Sequence, residues 1–247
     1  MTAPSYAFPD GFLWGAATAA HQIEGNNVSS DWWAREQSPR TDLSEPSCDA
    51  CDSYNRFEED IRLLAASGLR MYRFSIEWAR IEPEDGYFSK AQLLHYRRMI
   101  DTCRRYGVEP MVTLYHMTLP LWFAAPGGWL RDDAPELFRR YVEYVLPILH
   151  DVTWVCTLNE PNMVALTRGG TVGSDFIAAS LPAPDPVISE HLVQAHRQAR
   201  MVLGTVPTIK SGWTIACQAF HAVPGCEAEM EAYQYPREDY FTEAAAG

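Results

Sequence analysis

An amide, a carboxylic acid and a proline follow one another at Asn159, Glu160 and Pro161, directly after the apolar run of residues 154–158. That run predicts a β-strand, and Pro161 ends it because proline offers no backbone N–H to a sheet. Parallel α/β folds place their chemistry at the carboxyl ends of strands. A carboxylic acid held there can protonate a leaving group while the neighbouring amide holds a substrate hydroxyl. Taken alone, the three residues also fit an ordinary polar turn.

The three preceding predicted strands also lead into polar or aromatic side chains: Gln22 and Glu24, then Arg73 and Trp78, then His116. Glutamine, histidine and asparagine suit vicinal hydroxyls, because each can both donate and accept hydrogen bonds. Tryptophan rings can stack on sugars, and further candidates for that role are Trp14, Trp32, Trp33, Trp122 and Trp129. Together these residues predict a hydroxyl-rich ligand such as a pyranoside.

Each of these residues also has a structural interpretation. His116 could be a histidine with a purely structural hydrogen bond. Arg73 must find an anion if it faces inward, and an ion pair with Glu160 or Glu77 would satisfy it without any function. Tryptophans are more often core residues than ligand platforms.

The elements that must position these side chains alternate along the chain. Apolar runs predict five strands, at residues 12–20, 69–76, 110–114, 153–158 and 209–219. Apolar spacings of three and four residues predict the intervening helices, two of them ending near Gly68 and Gly107. Strands alternating with helices imply a parallel sheet with right-handed crossovers. We therefore expect one α/β domain over residues 1–247.

Composition narrows the class of partner. The net charge of −12 argues against nucleic acid and anionic membranes, and no apolar run reaches the length of a membrane span. Residues 1–9 carry no secretory signal, so we expect a cytoplasmic protein. Cys48 and Cys51 have metal-ligand spacing, but no second pair follows at a finger-like interval, so no metal is expected.

Four long segments resemble, in order, the motifs of glycoside hydrolase family 1, the β-glucosidase family. They are FLWGAATAAHQIEG at residues 12–25, YRFSIEWARIEP at 72–83, HMTLP at 116–120 and TLNEP at 157–161. In the third, Met117 stands where an aromatic residue is common. The resemblance extends to about the fifth strand and is weakest after Pro224.

The resemblance implies a fold, an activity and roles for particular residues. The fold would be a (β/α)8 TIM barrel, incomplete here, because the loops are long and the chain supplies about five of the eight units. The activity would be the retaining hydrolysis of β-glycosides, with no cofactor. Glu160 would be the general acid/base and Arg73 would flank the nucleophilic carboxylate. Gln22, His116 and Asn159 would bind sugar hydroxyls.

The chain departs from the family pattern in its second carboxylate. The family's nucleophile lies in a Thr-Glu-Asn-Gly motif on the seventh strand, and this sequence has no such motif. Glu243 follows a threonine, but it belongs to an acidic helical stretch and comes too soon after Glu160 to be a convincing nucleophile. Activity of the chain alone is therefore in question.

Five parallel strands also leave two open sheet edges, so we expect a homo-oligomer or a complementing fragment to cover the open side. Two alternatives remain open beside the truncated glycosidase: a non-catalytic sugar-binding or self-assembling half-barrel, and a (β/α)8 glycosidase of another clan. The Gln22 and His116 motifs disfavour the second alternative.

Overall fold

A computed structural model describes residues 7–167 and 182–246. Residues 1–6, which hold part of the segment considered for a signal, lie outside it, as does the end of the predicted domain at Gly247. Five described strands form one sheet in chain order, with every neighbouring pair parallel. They are β1 (Gly15–Ala17), β2 (Met71–Ser75), β3 (Glu109–Tyr115), β4 (Trp154–Asn159) and β5 (Lys210–Thr214).

Helices separate the strands, as predicted. In chain order the described helices are α1 (Ala20–Ile23), α2 (Asp31–Glu36), α3 (Ser53–Ala66), α4 (Trp78–Ile81), α5 (Lys90–Arg105), α6 (Leu121–Ala124), α7 (Ala134–Val145), α8 (Pro161–Thr167), α9 (Pro186–Leu203), α10 (Glu227–Gln234) and α11 (Asp239–Ala246). Two short 3-10 helices cover Gly128–Leu130 and Leu146–Ile148.

Local sequence explains where several helices begin and end. Gly68 and Gly107, at φ +87° and +68°, follow α3 and α5 in the left-handed conformation that glycine adopts without strain. Asp185 caps α9 by accepting hydrogen bonds from two backbone N–H groups of its first turn. α7 ends at Val145 and a 3-10 helix follows over Leu146–Ile148, because Pro147 has no N–H for an α-helical bond.

The two outer strands are shorter than predicted. Residues 12–14 do not join β1, and the chain leaves the sheet after Ala17 because Ala20 N–H donates to the Ser75 hydroxyl and α1 begins. The predicted fifth strand extended to residue 219, but β5 ends at Thr214. The next amides bond side chains instead: Ala216 N–H donates to the Asn162 amide oxygen and Gln218 N–H to the Glu238 carboxylate.

The core lies between the sheet and the helices that cover it. Trp78 stacks on Tyr141 at 5.1 Å and donates to Glu82, and Trp129 packs against Phe138. Trp78 and Trp129 are therefore core residues and not residues that stack on a sugar. Glu24 is buried as well, in an ion pair with Arg80 at 2.8 Å, so it is not a strand-end ligand.

Candidate active site

Arg73 connects its own strand, β2, with three other strands on one face of the sheet. From β2 its Nε donates to the Thr113 hydroxyl of β3 at 2.8 Å, and its Nη2 donates to the Asn159 amide oxygen of β4 at 2.6 Å. A longer contact of 3.4 Å joins Nη2 to the Thr214 hydroxyl of β5. One side chain can reach three neighbouring strands only because the sheet curls around it.

The Arg73 guanidinium forms no ion pair with any residue that the structure describes. The alternative that it pairs with Glu160 or Glu77 is therefore wrong for this structure. Glu77 instead accepts hydrogen bonds from Thr118 and from the Ala79 N–H. A half-buried cation held by neutral groups leaves an unneutralised charge at the centre of the sheet's inner face.

A bulge turns Asn159 inward. The pairing of β4 with β5 shifts between Cys156, opposite Gly212, and Asn159, opposite Thr214, so three steps on β4 match two on β5. Residues three apart on a regular strand face opposite sides. Here the Cys156 thiol and the Asn159 amide both contact Arg73, because the extra residue resets the alternation.

The same contacts fix the orientation of the Asn159 amide. Its oxygen accepts from Arg73 at 2.6 Å and from the Thr214 hydroxyl at 3.0 Å. Its Nδ2 donates to no described residue, although the side chain is 3% exposed. The amide N–H₂ is therefore the end left for a ligand.

Glu160 follows Asn159 in the left-handed conformation, at φ +49°, which is strained for a residue with a side chain. Its N–H donates to the Thr214 carbonyl at 2.9 Å, and its own carbonyl accepts from Met163 and Val164 as α8 begins. The half-buried carboxylate makes no hydrogen bond or ion pair within the described part of the chain. Among the described residues, no hydrogen bond or ion pair thus depends on the Glu160 side chain.

His116 directly follows β3. Burial, with a smaller contribution from the Arg73 charge, lowers the pKa of the imidazole from 6.5 to about 4. The ring is therefore neutral at physiological pH and can both donate and accept hydrogen bonds. Its Nδ1 is buried and has no partner among the described residues.

Gln22 lies on α1 with its side chain exposed, and no hydrogen bond from that side chain reaches another described candidate. Its neighbour His21 is tied instead to Glu36 at 2.8 Å. Glu243 lies on α11, is exposed and accepts a hydrogen bond from the Tyr235 hydroxyl at 3.0 Å.

Sequence reasoning missed the residues that hold Arg73 and Asn159. They are Thr113, Cys156 and Thr214, and the available signal was a small polar residue inside each apolar strand. Over residues 7–167 and 182–246, no group of three metal-binding side chains is clustered. No helix in those ranges is both long and apolar enough to cross a bilayer.

The family model of glycosyl hydrolase family 1 matches residues 5–202. Beta-glucosidase A from Thermotoga maritima is 40% identical over 168 residues, which cover 64% of this chain and 37% of the relative. Human lactase/phlorizin hydrolase is 35% identical over 219 residues, 85% of this chain and 11% of the relative.

Solved structures give the same result for the fold. The beta-glycosidase BGL167 superposes with a TM-score of 0.84 at 38% identity, over 96% of this chain and 63% of that one. A Thermotoga maritima beta-glucosidase in complex with castanospermine superposes with a TM-score of 0.80 at 33% identity, over 92% and 54%. The five-stranded sheet is therefore part of a (β/α)8 TIM barrel. The chain spans less than two thirds of the length of these relatives, and it belongs to glycosyl hydrolase family 1.

Proposed function

We propose that this chain provides the sugar-binding and acid/base part of a retaining β-glycosidase site. The observation that carries the proposal is the fixed Asn159 amide. Arg73 and Thr214 hold its oxygen, so its N–H₂ is left for a sugar hydroxyl. The Glu160 carboxylate, which makes no hydrogen bond or ion pair among the described residues, comes next in the chain. The substrate class that we propose is a β-glucoside or a short β-linked oligosaccharide, because the curated relatives include β-glucosidases.

In this mechanism each residue has one task. Glu160 protonates the bridging oxygen as the leaving group departs, and later takes a proton from the attacking water. Asn159 donates to the hydroxyl next to the anomeric carbon, where the bond strengthens as positive charge develops. The neutral His116 and the exposed Gln22 bind other hydroxyls of the same ring. No step requires a cofactor.

Arg73 points to where a second carboxylate would belong. Its guanidinium has no anionic partner among the described residues, and a carboxylate placed beside it would remain ionised and nucleophilic. The 247 residues contain no Thr-Glu-Asn-Gly motif. We therefore propose that full turnover requires a polypeptide that pairs with the open edges and brings this group.

Hydrolysis of nitrophenyl β-glucosides tests the role of Glu160. The chain is assayed alone and with a polypeptide carrying the last three β/α units of a family 1 relative. We expect turnover only in the mixture. Glu160→Gln should slow release of 4-nitrophenol strongly, but release of the more acidic 2,4-dinitrophenol much less, since that group leaves without protonation. Turnover that Glu160→Gln leaves unchanged would falsify the role.

A second candidate function is a non-catalytic sugar-binding or self-assembling half-barrel. The observation that favours it is exposed apolar surface at the β1 edge, where Phe8, Phe12 and Trp14 pack on one another at 4.6 to 5.0 Å. All three residues of β1 are exposed too. Saturable binding of a glucose analogue, with no hydrolysis by the chain alone or by the mixture, would favour this function over the enzyme.

A further inference from the structure

The His116 turn, defined as residues 116–120, has an unusual backbone that other elements hold in place. Met117 lies at φ +69°, and the Thr118 N–H donates back to the His116 carbonyl at 2.9 Å. The Tyr115 hydroxyl donates to the Met117 carbonyl at 3.1 Å. A left-handed residue with a side chain costs about 1–3 kcal/mol, so neighbouring contacts must hold it there.

Two carboxyl groups, the buried Glu77 and the half-buried Asp31, hold this turn. Glu77, just after β2, accepts from the Thr118 hydroxyl at 2.7 Å. Asp31, at the start of α2, accepts from the Leu119 N–H at 2.9 Å while its own N–H donates to the Leu119 carbonyl. Hydrogen bonds from two segments that are distant in sequence therefore hold the turn in place.

Burying the Glu77 carboxyl costs folding free energy. It is 3% exposed and takes part in no ion pair among the described residues. Burial raises the pKa of its carboxyl from 4.5 to about 7. A buried carboxyl destabilises a fold unless its contacts compensate, and its two side-chain contacts are with Thr118 and the Ala79 N–H.

The His116 imidazole has no hydrogen-bond partner in the part of the chain that the structure describes. Its Nδ1 is buried, and none of those residues donates to it or accepts from it. The orientation of the ring therefore depends on the backbone conformation at His116. The contacts that hold residues 116–120 fix that conformation. A displacement of about 1 Å at a ligand-binding group can weaken function about a hundredfold.

We propose that Glu77 is a positioning residue for His116, acting through the Thr118 hydroxyl to hold the turn that aims the imidazole at the ligand. The assignment of a sugar hydroxyl to His116 rests on the proposed function. The positioning of the ring by Glu77 and Thr118 does not, because it stands on the contacts alone.

Substitutions of Thr118 in the full chain test this proposal. Thr118→Val removes the hydroxyl at nearly constant shape, whereas Thr118→Ser keeps it. Thr102→Val is the matched control, because Thr102 is also a buried threonine but lies on α5, away from the turn. The readouts are the ¹⁵N NMR signals of the His116 imidazole, assigned with His116→Gln, and the Kd for glucoimidazole.

We expect Thr118→Val to shift the His116 signals and to weaken glucoimidazole binding about tenfold, a change of about 1.4 kcal/mol. Thr118→Ser and Thr102→Val should keep both within about twofold. Should Thr118→Val not fold, Thr118→Ala removes the same hydroxyl without an added methyl group, with the same expectation. Unchanged His116 signals in the variants that lack the hydroxyl would overturn the proposal.

The design separates this proposal from the proposed function. If the wild-type chain binds no glucoimidazole, the proposed function fails, but the imidazole signals still report whether the hydroxyl positions the ring. If the wild-type chain binds the probe and the variants that lack the hydroxyl bind it equally well with unchanged signals, the positioning role alone fails.

Discussion

The guanidinium of Arg73 on β2 donates a 2.6 Å hydrogen bond to the amide oxygen of Asn159 at the end of β4, across the whole width of β3. Strands separated by another strand lie about 9.6 Å apart in a flat sheet. The long arginine side chain reaches over β3, and the bulge in β4 turns Asn159 onto the same face of the sheet. Through this hydrogen bond the positively charged Arg73 orients the Asn159 amide, to which we assign sugar binding.

Asn159→Asp should affect folding stability and ligand binding in opposite directions. An aspartate oxygen can still accept from Arg73 and Thr214, and the new ion pair should raise the melting temperature by a few degrees. The same change removes the amide N–H₂, so glucoimidazole binding should fall at least tenfold. Calorimetry on one sample measures both. A lower melting temperature would contradict the ion pair, and retained affinity would contradict the role of the amide nitrogen.

Arg73→Met removes the residue that orients Asn159. Hydrogen bonds to a charged group contribute about 1.5–3 kcal/mol each, so we expect weaker glucoimidazole binding by tenfold or more. Arg70→Met is the control, because Arg70 precedes the same strand but is exposed. Among the described residues its side chain donates only to two backbone carbonyls, at 3.4 and 3.5 Å. Equal affinities in the two variants would rule out an orienting role for Arg73.

Glu77→Gln should change how stability depends on pH. In the wild type the Glu77 pKa is about 7 when folded and ordinary when unfolded, so the folded state binds more protons between pH 4.5 and 7. The stability present below pH 4.5 is therefore lost as the pH rises to 7. Glutamine does not titrate, so the stability of the variant relative to wild type should increase over that range and then level off.

Urea unfolding at pH 4.5, 5.5, 6.5 and 7.5 measures this difference. The buried histidines titrate in both proteins, so their contributions cancel. Glu84→Gln, on the surface, is the control for the loss of one negative charge. A difference between Glu77→Gln and wild type that stays constant with pH would show that Glu77 is not a buried carboxyl of raised pKa.

The open β1 edge predicts self-association. Phe12 and Trp14 are 47% and 54% exposed, and such a cluster at a sheet edge favours contact between chains. We expect sedimentation velocity to show species larger than a monomer, and Trp14→Glu to shift the population toward the monomer. Val223→Glu changes a similarly exposed apolar residue elsewhere and should leave the distribution unchanged. A monodisperse wild-type monomer with cooperative unfolding would contradict the expectation.

The sequence predicted the central strands better than the outer ones for a physical reason. Strands β2, β3 and β4 are paired on both sides and read as apolar runs, so their predicted bounds lie within a few residues of the observed ones. The outer strands lack one neighbour, and backbone bonds to Ser75, Asn162 and Glu238 end them early. Those bonds join residues distant in sequence and leave no local signal.

The candidate site was also predictable from the sequence only in part. The motifs indicated His116, Asn159, Glu160 and Arg73, because polar groups stand out at or inside apolar strands. The partners of Arg73 could not be predicted, because the bulge in β4 depends on how β4 pairs with β5. The sequence alone left an ion pair for Arg73 open, whereas the structure gives it neutral partners among the described residues.

Titration of the full chain with glucoimidazole tests most directly whether these strand ends form a sugar site. We expect saturable binding at one site per chain, weakened at least tenfold in both Asn159→Ala and His116→Gln, and unchanged in Arg70→Met. Binding that is absent from the folded wild-type chain, or that both substitutions leave intact, would contradict this expectation.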